Sequence, residues 1–228
     1  MEETMSNVQF GTFGQAGRVL DVVVEQKLST EEVETLNGGY LTDLARAIKR
    51  GTVPARDTFQ KFLGLLPELK IWKTIKLGLH KTADNYEAAL TPETGLLRLG
   101  DWAHQILKKI TISQAVVEVD LCVMTVAELG FRGNARFDAI CERIIEIGGE
   151  LCPAEVGPAL RLQYEDQPQG EWNLIAMEAI TDSDGDLNVF GVERDSDVRW
   201  LDTYYGSPDD LYDPDGRIVF VVPRKLDA

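Results

Sequence analysis

The chain has 228 residues, of which 44% are hydrophobic and 27% charged, a balance typical of a globular protein that argues against wholesale disorder. Its net charge of −15 argues against binding of nucleic acid by the protein surface as a whole. No apolar run approaches the roughly 20 residues of a membrane-spanning helix, so no membrane partner is expected. The acidic N-terminus does not resemble a signal peptide, and three cysteines are too few for a disulfide framework. We therefore expect a cytoplasmic protein with free thiols.

Charge is unevenly distributed along the chain. From Leu41 to Lys81 there are nine Lys/Arg and three acids, whereas from Leu151 to Ala228 there are seventeen acids and six Lys/Arg. This asymmetry predicts either two regions with different electrostatic roles or two solvated surfaces that attract each other.

The N-terminal third is predicted to be helical. In "STEEVETL", Ser29 and Glu32 have the spacing of a capping box, which predicts a short helix that ends at the following glycine pair. The next segment, "YLTDLARAIKRG", places its leucines and Ile48 on one helical face and ends at Gly51. The earlier segment "AGRVLDVVVEQKL" also has apolar residues at near-helical spacing, although its β-branched run weakens that prediction. Residues 1–72 are therefore predicted to form a helical, partly basic region.

The pattern changes from about residue 73. "TADNYEAAL" and "DWAHQILKK" are predicted to be short helices that begin at the caps Thr82 and Asp101. Apolar residues alternate with acids in "AVVEVDLCVMT", which is the pattern of a strand with one buried face. A helix capped by Asn134 is predicted to follow.

The remainder is predicted to be β-rich. Consecutive strands with short, turn-rich links favour antiparallel pairing over parallel β-α-β units. We therefore predict an α+β fold in which the small helical N-terminal part precedes an acidic domain over residues 73–228, with one or two helices and an antiparallel sheet of about five strands. The candidate strands are Val156–Tyr164, Trp172–Ile180, Leu187–Arg194, Val198–Thr203 and Ile218–Pro223.

Several motifs stand out in this second part, above all "ELCPAEVGPALRLQY" and "ITDSDGDLNVF", together with "VEVDLCVMTVAELGF" and "GDWAHQIL". Through them, residues 72–225 resemble a family of uncharacterised bacterial proteins. The resemblance implies a module boundary near residue 72. Because that family has no established activity, the resemblance implies no catalytic roles.

The acidic stretch "ITDSDGDLNVFGVERD" has several possible interpretations. Asp182, Asp184 and Asp186 have the spacing of the first ligands of an EF-hand loop, but the glycine is misplaced and the flanks are predicted strands. "DSDGD" also resembles the motif of haloacid-dehalogenase-like phosphatases, which implies a nucleophile at Asp182 and a general acid at Asp184. The antiparallel strands predicted downstream do not fit that topology. A β-hairpin turn is the favoured interpretation, and a looser Ca²⁺ or Mg²⁺ site is the alternative.

Glu155 is the other candidate catalytic acid or base. Pro153 and Pro158 fix the chain around it at a predicted strand entrance. The alternative is that Glu155 pairs with Arg161. Cys152 lies in an acidic neighbourhood, which favours packing over a nucleophilic role. The sequence contains no zinc-binding, nucleotide-binding or lipase-type motif, so we expect no cofactor.

The basic stretch is the candidate nucleic-acid interface, since phosphate contacts need clustered Lys and Arg. Three of its lysines recur at a spacing of three around Trp72. A solvated basic face is the alternative. The candidates are Arg46, Lys49, Arg50, Lys70, Lys73 and Lys76.

Aromatic residues among the C-terminal acids form the candidate protein-binding site: Trp200, Tyr204, Tyr205 and Tyr212. Trp and Tyr are common interface anchors, and acids steer a basic partner toward the surface. Packing of these rings on one face of the sheet is the alternative. We predict a non-catalytic binding protein, with a protein partner favoured and nucleic acid second. A metal-assisted hydrolase that uses carboxylates of the C-terminal sheet is the alternative function.

Overall fold

The structure is a computed structural model that describes residues 25–64 and 66–224. The chain divides into two compact units, Met1–Phe59 and Gln60–Ala228. The boundary predicted near residue 72 therefore falls inside the second unit. Most of "AGRVLDVVVEQKL", predicted as a helix, lies outside the described residues. Within the described ranges, no helix combines the length and the apolar content that crossing a membrane requires.

The described residues before the sheet include the short helices α1 (Thr30–Thr35), α2 (Leu41–Arg50) and α3 (Arg56–Phe62). The predicted capping box is confirmed, since the Glu32 N–H donates to Ser29 Oγ at 3.3 Å and the Ser29 N–H donates to the Glu32 carboxylate at 2.7 Å. The helical path breaks at the glycine pair as predicted, because Gly39, in the turn Leu36–Tyr40 between α1 and α2, has a non-helical φ of 128° and ψ of −26°. Helix α2 ends at Gly51 as predicted, and that glycine has a φ of 67°.

The strands of the second unit are β1 (Lys73–Leu77), β2 (Leu97–Leu99), β3 (Val117–Thr125), β4 (Ala135–Arg136), β5 (Trp172–Ile175), β6 (Ile180–Thr181), β7 (Leu187–Asp195), β8 (Val198–Tyr205), β9 (Leu211–Tyr212) and β10 (Arg217–Val221). Eight of them form one sheet in the order β1-β3-β10-β5-β7-β8-β2, with β6 paired to β7, while β4 and β9 form a separate pair.

The sheet is mixed, because β10 runs parallel to β5 and β2 runs parallel to β8. The other neighbours in the sheet are antiparallel. The prediction of an antiparallel sheet of about five strands is therefore wrong in strand number and in strand direction, although the α+β class is confirmed. Both parallel pairs join strands that are distant in the chain, and a local sequence pattern does not encode such pairing.

The helices of the second unit are α4 (Ala83–Leu90), α5 (Asp101–Leu107), α6 (Phe137–Glu146) and α7 (Val156–Gln163). Thr82 caps α4 as predicted, since its hydroxyl accepts a hydrogen bond from the Asn85 N–H at 3.1 Å. The predicted caps Asp101 and Asn134 are wrong. Helix α5 already includes Asp101, and α6 begins two residues beyond the position that an Asn134 cap requires.

Helix α7 lies at the centre of the second unit, where the sequence predicted the strand Val156–Tyr164. Every residue from Val156 to Arg161 is buried, and the helix contacts β1, β7 and β8. Because β1 lies at one end of the sheet and β8 lies near the other, the sheet curls around α7. The packing is close, since a Cβ on Gly157 would lie 2.6 Å from Phe190. The prediction failed because a helix that is buried on all sides lacks an exposed polar face to mark its periodicity, and Val156–Leu160 is an unbroken apolar run.

Gln163, the last residue of α7, occupies the outer edge of β1. Its side-chain amide accepts a hydrogen bond from the Lys76 N–H and donates one to the Lys76 carbonyl, both at 2.9 Å. The amide thus takes the place of a neighbouring strand at this position.

Replacing Gln163 with alanine removes both of these hydrogen bonds. We expect Gln163→Ala to lower the free energy of unfolding by about 1–2 kcal/mol, measured by urea denaturation. Gln169→Ala changes an exposed glutamine and is the control, with an expected change within about 0.5 kcal/mol. Equal losses in the two variants would contradict this role of Gln163.

Candidate functional site

Asp182 organises the turn between β6 and β7. Its Oδ1 accepts three backbone hydrogen bonds at 2.8–3.0 Å from the residues that follow in the turn, Asp184, Gly185 and Asp186. Its Oδ2 accepts a hydrogen bond from the Asn188 side-chain amide at 2.7 Å. Since β6 and β7 pair antiparallel and Gly185 has a φ of 97°, the hairpin interpretation is confirmed.

The hydrogen bonds to Asp182 favour a structural role for its carboxylate. Burial acts to raise the pKa of Asp182, but the donors from Asp184, Asp186 and Asn188 outweigh it and hold that pKa below its usual range. Asp184 and Asp186 are exposed. Within residues 25–64 and 66–224, no group of three His, Cys, Asp or Glu side chains is arranged to hold a metal ion. The geometry therefore gives no support to Asp182, Asp184 and Asp186 as metal ligands, or to the first two as a catalytic pair.

Asp182 contributes stability that depends on pH. Because its folded-state pKa is lowered, this contribution is complete above the pKa of an unfolded aspartate, about 3.9, and is lost as the pH falls through the folded-state value. Asp182→Asn removes the charge and directs an amide NH₂ toward the Asn188 amide. We expect the wild type to have the higher melting temperature at pH 7, and we expect the difference to shrink as the pH is lowered to about 3.

Thermal unfolding followed by circular dichroism over this pH range measures the difference. Asp184→Asn, which removes a turn charge bonded to the exposed Ser183 hydroxyl at 3.2 Å, is the matched control. A difference for Asp182→Asn that stays constant with pH would show that its carboxylate is not held in the ionised state by the turn.

Glu155 joins three segments at the N-terminus of α7. It is 1% exposed, and its Oε1 accepts hydrogen bonds from the Gly78 N–H at 2.8 Å and the Tyr86 hydroxyl at 2.9 Å. Its Oε2 accepts one from the Ser113 N–H at 2.8 Å. These donors come from the end of β1, from α4 and from the loop before β3. Their convergence is typical of a structural acceptor, and it gives no support to Glu155 as a catalytic acid or base.

Two further polar candidates near α7 are also buried. Arg161 does not pair with Glu155, because its guanidinium donates to the Gln167 side-chain oxygen and to backbone oxygens of Tyr164 and Glu193. Burial lowers the pKa of Arg161 to about 10, so the group stays charged at neutral pH. Burial also raises the pKa of the Cys152 thiol, which favours packing over nucleophilic chemistry.

A double-mutant cycle tests the role of Glu155. Glu155→Ala removes all three hydrogen bonds that the carboxylate accepts and leaves their donors unpaired, and we expect it to lower the free energy of unfolding by at least about 3 kcal/mol. Tyr86→Phe removes one of the donors, with an expected loss of about 1 kcal/mol. Because the two changes share one hydrogen bond, the double variant should lose less than the sum, as measured by denaturant unfolding. Strict additivity would contradict the contact.

The basic candidates of the first unit lie on α2. Arg46, Lys49 and Arg50 are all exposed. Arg46 lies 3.4 Å from Asp43 on the same helix, a pair that contributes little at full exposure.

The basic candidates of the second unit do not share one face. Lys73 and Lys76 belong to β1, where a spacing of three directs side chains to opposite faces of the sheet. The Lys73 Nζ lies 3.0 Å from the Asp166 carboxylate and 4.2 Å from the centre of the Tyr164 ring. Lys73 is thus already paired, while Lys70 and Lys76 are exposed.

The predicted aromatic set divides between the core and the surface. Tyr212 is buried, and its hydroxyl donates to the Tyr205 carbonyl. Tyr204 is half-buried and stacks on Trp172 with the ring centres 5.3 Å apart. Trp200 is also half-buried, whereas Tyr205 is 66% exposed. Because residues alternate along β8, Tyr205 lies on the opposite face from Trp200 and Tyr204.

Three of these four aromatic residues, Trp200, Tyr204 and Tyr205, line a pair of neighbouring cavities. The cavities have volumes of about 630 and 250 Å³ and share Trp102 and Asp202 as walls. We call the two cavities together the acidic groove. Four aspartates and one arginine line it: Asp101, Asp182, Asp186, Asp202 and Arg98.

Long-range pairing assembles the acidic groove. Since β2 pairs with β8, Arg98 lies beside Trp200, and its guanidinium is 5.4 Å from the centre of the indole ring. The chain then turns at Gly100, where a side chain would collide with the Asp202 carboxylate. Helix α5 follows directly and carries Trp102, which is 42% exposed, into the groove wall.

No sequence pattern predicted Arg98, Trp102 or Asp202 as site residues. The pairing of Arg98 with Trp200 joins distant parts of the chain and leaves no local signal. Only Trp102 carries a signal of its own, because it lies off the buried stripe of α5 that Ala103 and Ile106 share.

Comparison with protein-family models, curated proteins and solved structures found no match for this chain. The resemblance of residues 72–225 to uncharacterised bacterial proteins therefore stays a prediction. The function is inferred instead from the geometry of the acidic groove.

Proposed function

We propose that this chain is a binding protein whose acidic groove accepts a basic segment of a protein partner. The observation that carries the proposal is the convergence of two tryptophans and two aspartates, Trp102, Trp200, Asp101 and Asp202, on one cavity of the second unit. Trp and Tyr rings anchor protein interfaces, and carboxylates orient a cationic partner. With four aspartates and one arginine in its lining, the groove favours a partner that carries Lys or Arg.

Arg98 supports a guanidinium as the ligand group. Its contact with Trp200, at 5.4 Å from the ring centre, has cation-π geometry. The same ring is therefore able to accept a guanidinium from a partner. Because the Arg98 side chain is exposed, a partner cation can displace it toward solvent.

A metal-assisted hydrolase has weaker support. Both carboxylate oxygens of Asp182 and both of Glu155 accept hydrogen bonds from N–H or O–H donors. A metal ion or a substrate proton would have to compete with these donors for the same oxygens.

Charge in the acidic groove should set the affinity for a basic peptide. The probe is a short fluorescein-labelled peptide of alternating arginine and valine, titrated with the full chain by fluorescence anisotropy at low salt. We expect Asp202→Asn to weaken binding and Arg98→Gln to strengthen it, each by about two- to fivefold, the range of a single exposed charge interaction. Added salt should weaken binding to the wild type.

Asp209→Asn is the matched control, because it removes the same charge from an exposed position outside the groove lining. A peptide of alternating glutamate and valine controls for the charge of the ligand. No binding of the arginine peptide, or equal effects of Asp202→Asn and Asp209→Asn, would overturn the proposal. Binding of a labelled single-stranded oligonucleotide without binding of the peptide would favour the nucleic-acid partner instead.

A further inference from the structure

The outer edge of β2 is the unusual feature next to the acidic groove. β2 ends the strand order of the sheet, and β8 is its neighbour on the inner side. The two strands run parallel, with Leu97 opposite Arg199 and Leu99 opposite Leu201. Leu97, Leu99 and the adjoining Gly100 all line the larger cavity of the groove.

The hydrogen bonds at the two ends of β2 show which backbone groups face outward. The Arg199 N–H donates to the Leu96 carbonyl, and the Gly100 N–H donates to the Leu201 carbonyl, both at 2.9 Å. In a parallel pair of strands, every second residue directs both its N–H and its C=O to the neighbouring strand. The residues between them direct theirs to the other side. The even-numbered residues of β2 therefore face β8, and the N–H and C=O groups of Leu97 and Leu99 point away from it.

Nothing in residues 25–64 or 66–224 bonds these outward groups of Leu97 and Leu99. An open row of backbone donors and acceptors is a template for another strand. The opposite end of the sheet differs, since Gln163 occupies the outer groups of Lys76 on β1.

We infer that a basic segment of a partner protein binds as an added β-strand along the outer edge of β2. The inference rests on the proposed function and adds the conformation in which the segment is bound. Backbone hydrogen bonds to Leu97 and Leu99 align the segment, in the manner of β-strand addition. Alternate side chains then fall on the face of the sheet that carries Arg98, Trp200 and Asp202.

Charge complementarity selects the occupant. The side chains of an added strand that face the groove lie next to Arg98 and, beyond it, Asp101, Asp202 and the Trp200 ring. Once the exposed Arg98 side chain turns toward solvent, the two aspartates suit Lys or Arg at every second position. On the other face, Leu97 is buried and Leu99 half-buried, which suits apolar side chains at the intervening positions. A peptide of alternating arginine and valine meets both requirements.

N-methylation of this peptide tests the backbone pairing directly. One labelled peptide carries N-methyl groups on its arginines, and a second carries them on its valines. In a bound strand, the N–H groups of one set face β2 and those of the other face solvent. We expect one methylated peptide to lose at least about tenfold in affinity for the full chain, and the other to bind within about twofold of the parent.

The outcomes separate the two proposals. If the parent peptide does not bind, the proposed function fails. If the parent binds and the two methylated peptides keep equal affinities, or lose affinity equally, the groove recognises side chains alone and strand addition is overturned.

A variant pair tests the same edge from the side of the protein. Leu99→Pro removes the outward N–H, and Leu99→Ala removes the same side chain but keeps that N–H. Because proline at this position leaves the pairing with β8 intact, we expect the proline variant to fold and to bind the peptide at least about fivefold more weakly than the alanine variant. Equal binding by the two variants would overturn the inference. A concentration-dependent dimer that Leu99→Pro abolishes in sedimentation velocity would assign the edge to a second copy of this chain, and it would overturn the inference as well.

Discussion

The burial of α7 inside the curled sheet is the constraint on which the rest of the second unit depends. The helix brings two charged residues into the interior, Glu155 at its start and Arg161 near its end. A buried charge is costly unless hydrogen bonds compensate it, and these two do not compensate each other. Glu155 takes its donors from the end of β1, from α4 and from the loop before β3, whereas Arg161 finds acceptors in the following loop and in β7. Satisfying both residues requires strands from distant parts of the sheet to meet the same helix, and this requirement fixes the curl.

The acidic groove is a consequence of the same arrangement. Contacts of α7 with β7 and β8 fix the half of the sheet to which β2 adds in parallel. That addition places Arg98 beside Trp200 and starts α5 at the sheet edge, with Trp102 in its first turn. A groove built in this way has a rigid floor of paired strands, whereas its walls consist of side chains that are partly exposed. Such a site suits the recognition of an extended segment, because little backbone has to be ordered when the segment binds.

Local chemistry made some features predictable from the sequence, and long-range pairing hid the rest. The capping box at Ser29, the cap at Thr82 and the hairpin turn at Asp182 depend on residues within a few positions of one another, and all three were predicted. The helix at 156–163 was predicted as a strand because its apolar run Val156–Leu160 has no period that distinguishes a helix from a strand. The predicted aromatic site contains Trp200 but not Trp102, since their proximity depends on the parallel pairing of β2 with β8.

A difference between the two ends of the sheet supports a binding role for the edge at β2. An exposed edge invites unwanted pairing, and proteins block such edges with side chains or charges. At β1 the amide of Gln163 occupies the outward backbone groups of Lys76. At β2, Leu97 and Leu99 instead line a cavity of about 630 Å³, together with two tryptophans and two aspartates. The nearby aspartates repel acidic segments, including those of this acidic chain itself, and attract basic ones. An edge protected in this way repels acidic strands and stays open to basic ones. Such selectivity is what a binding site requires.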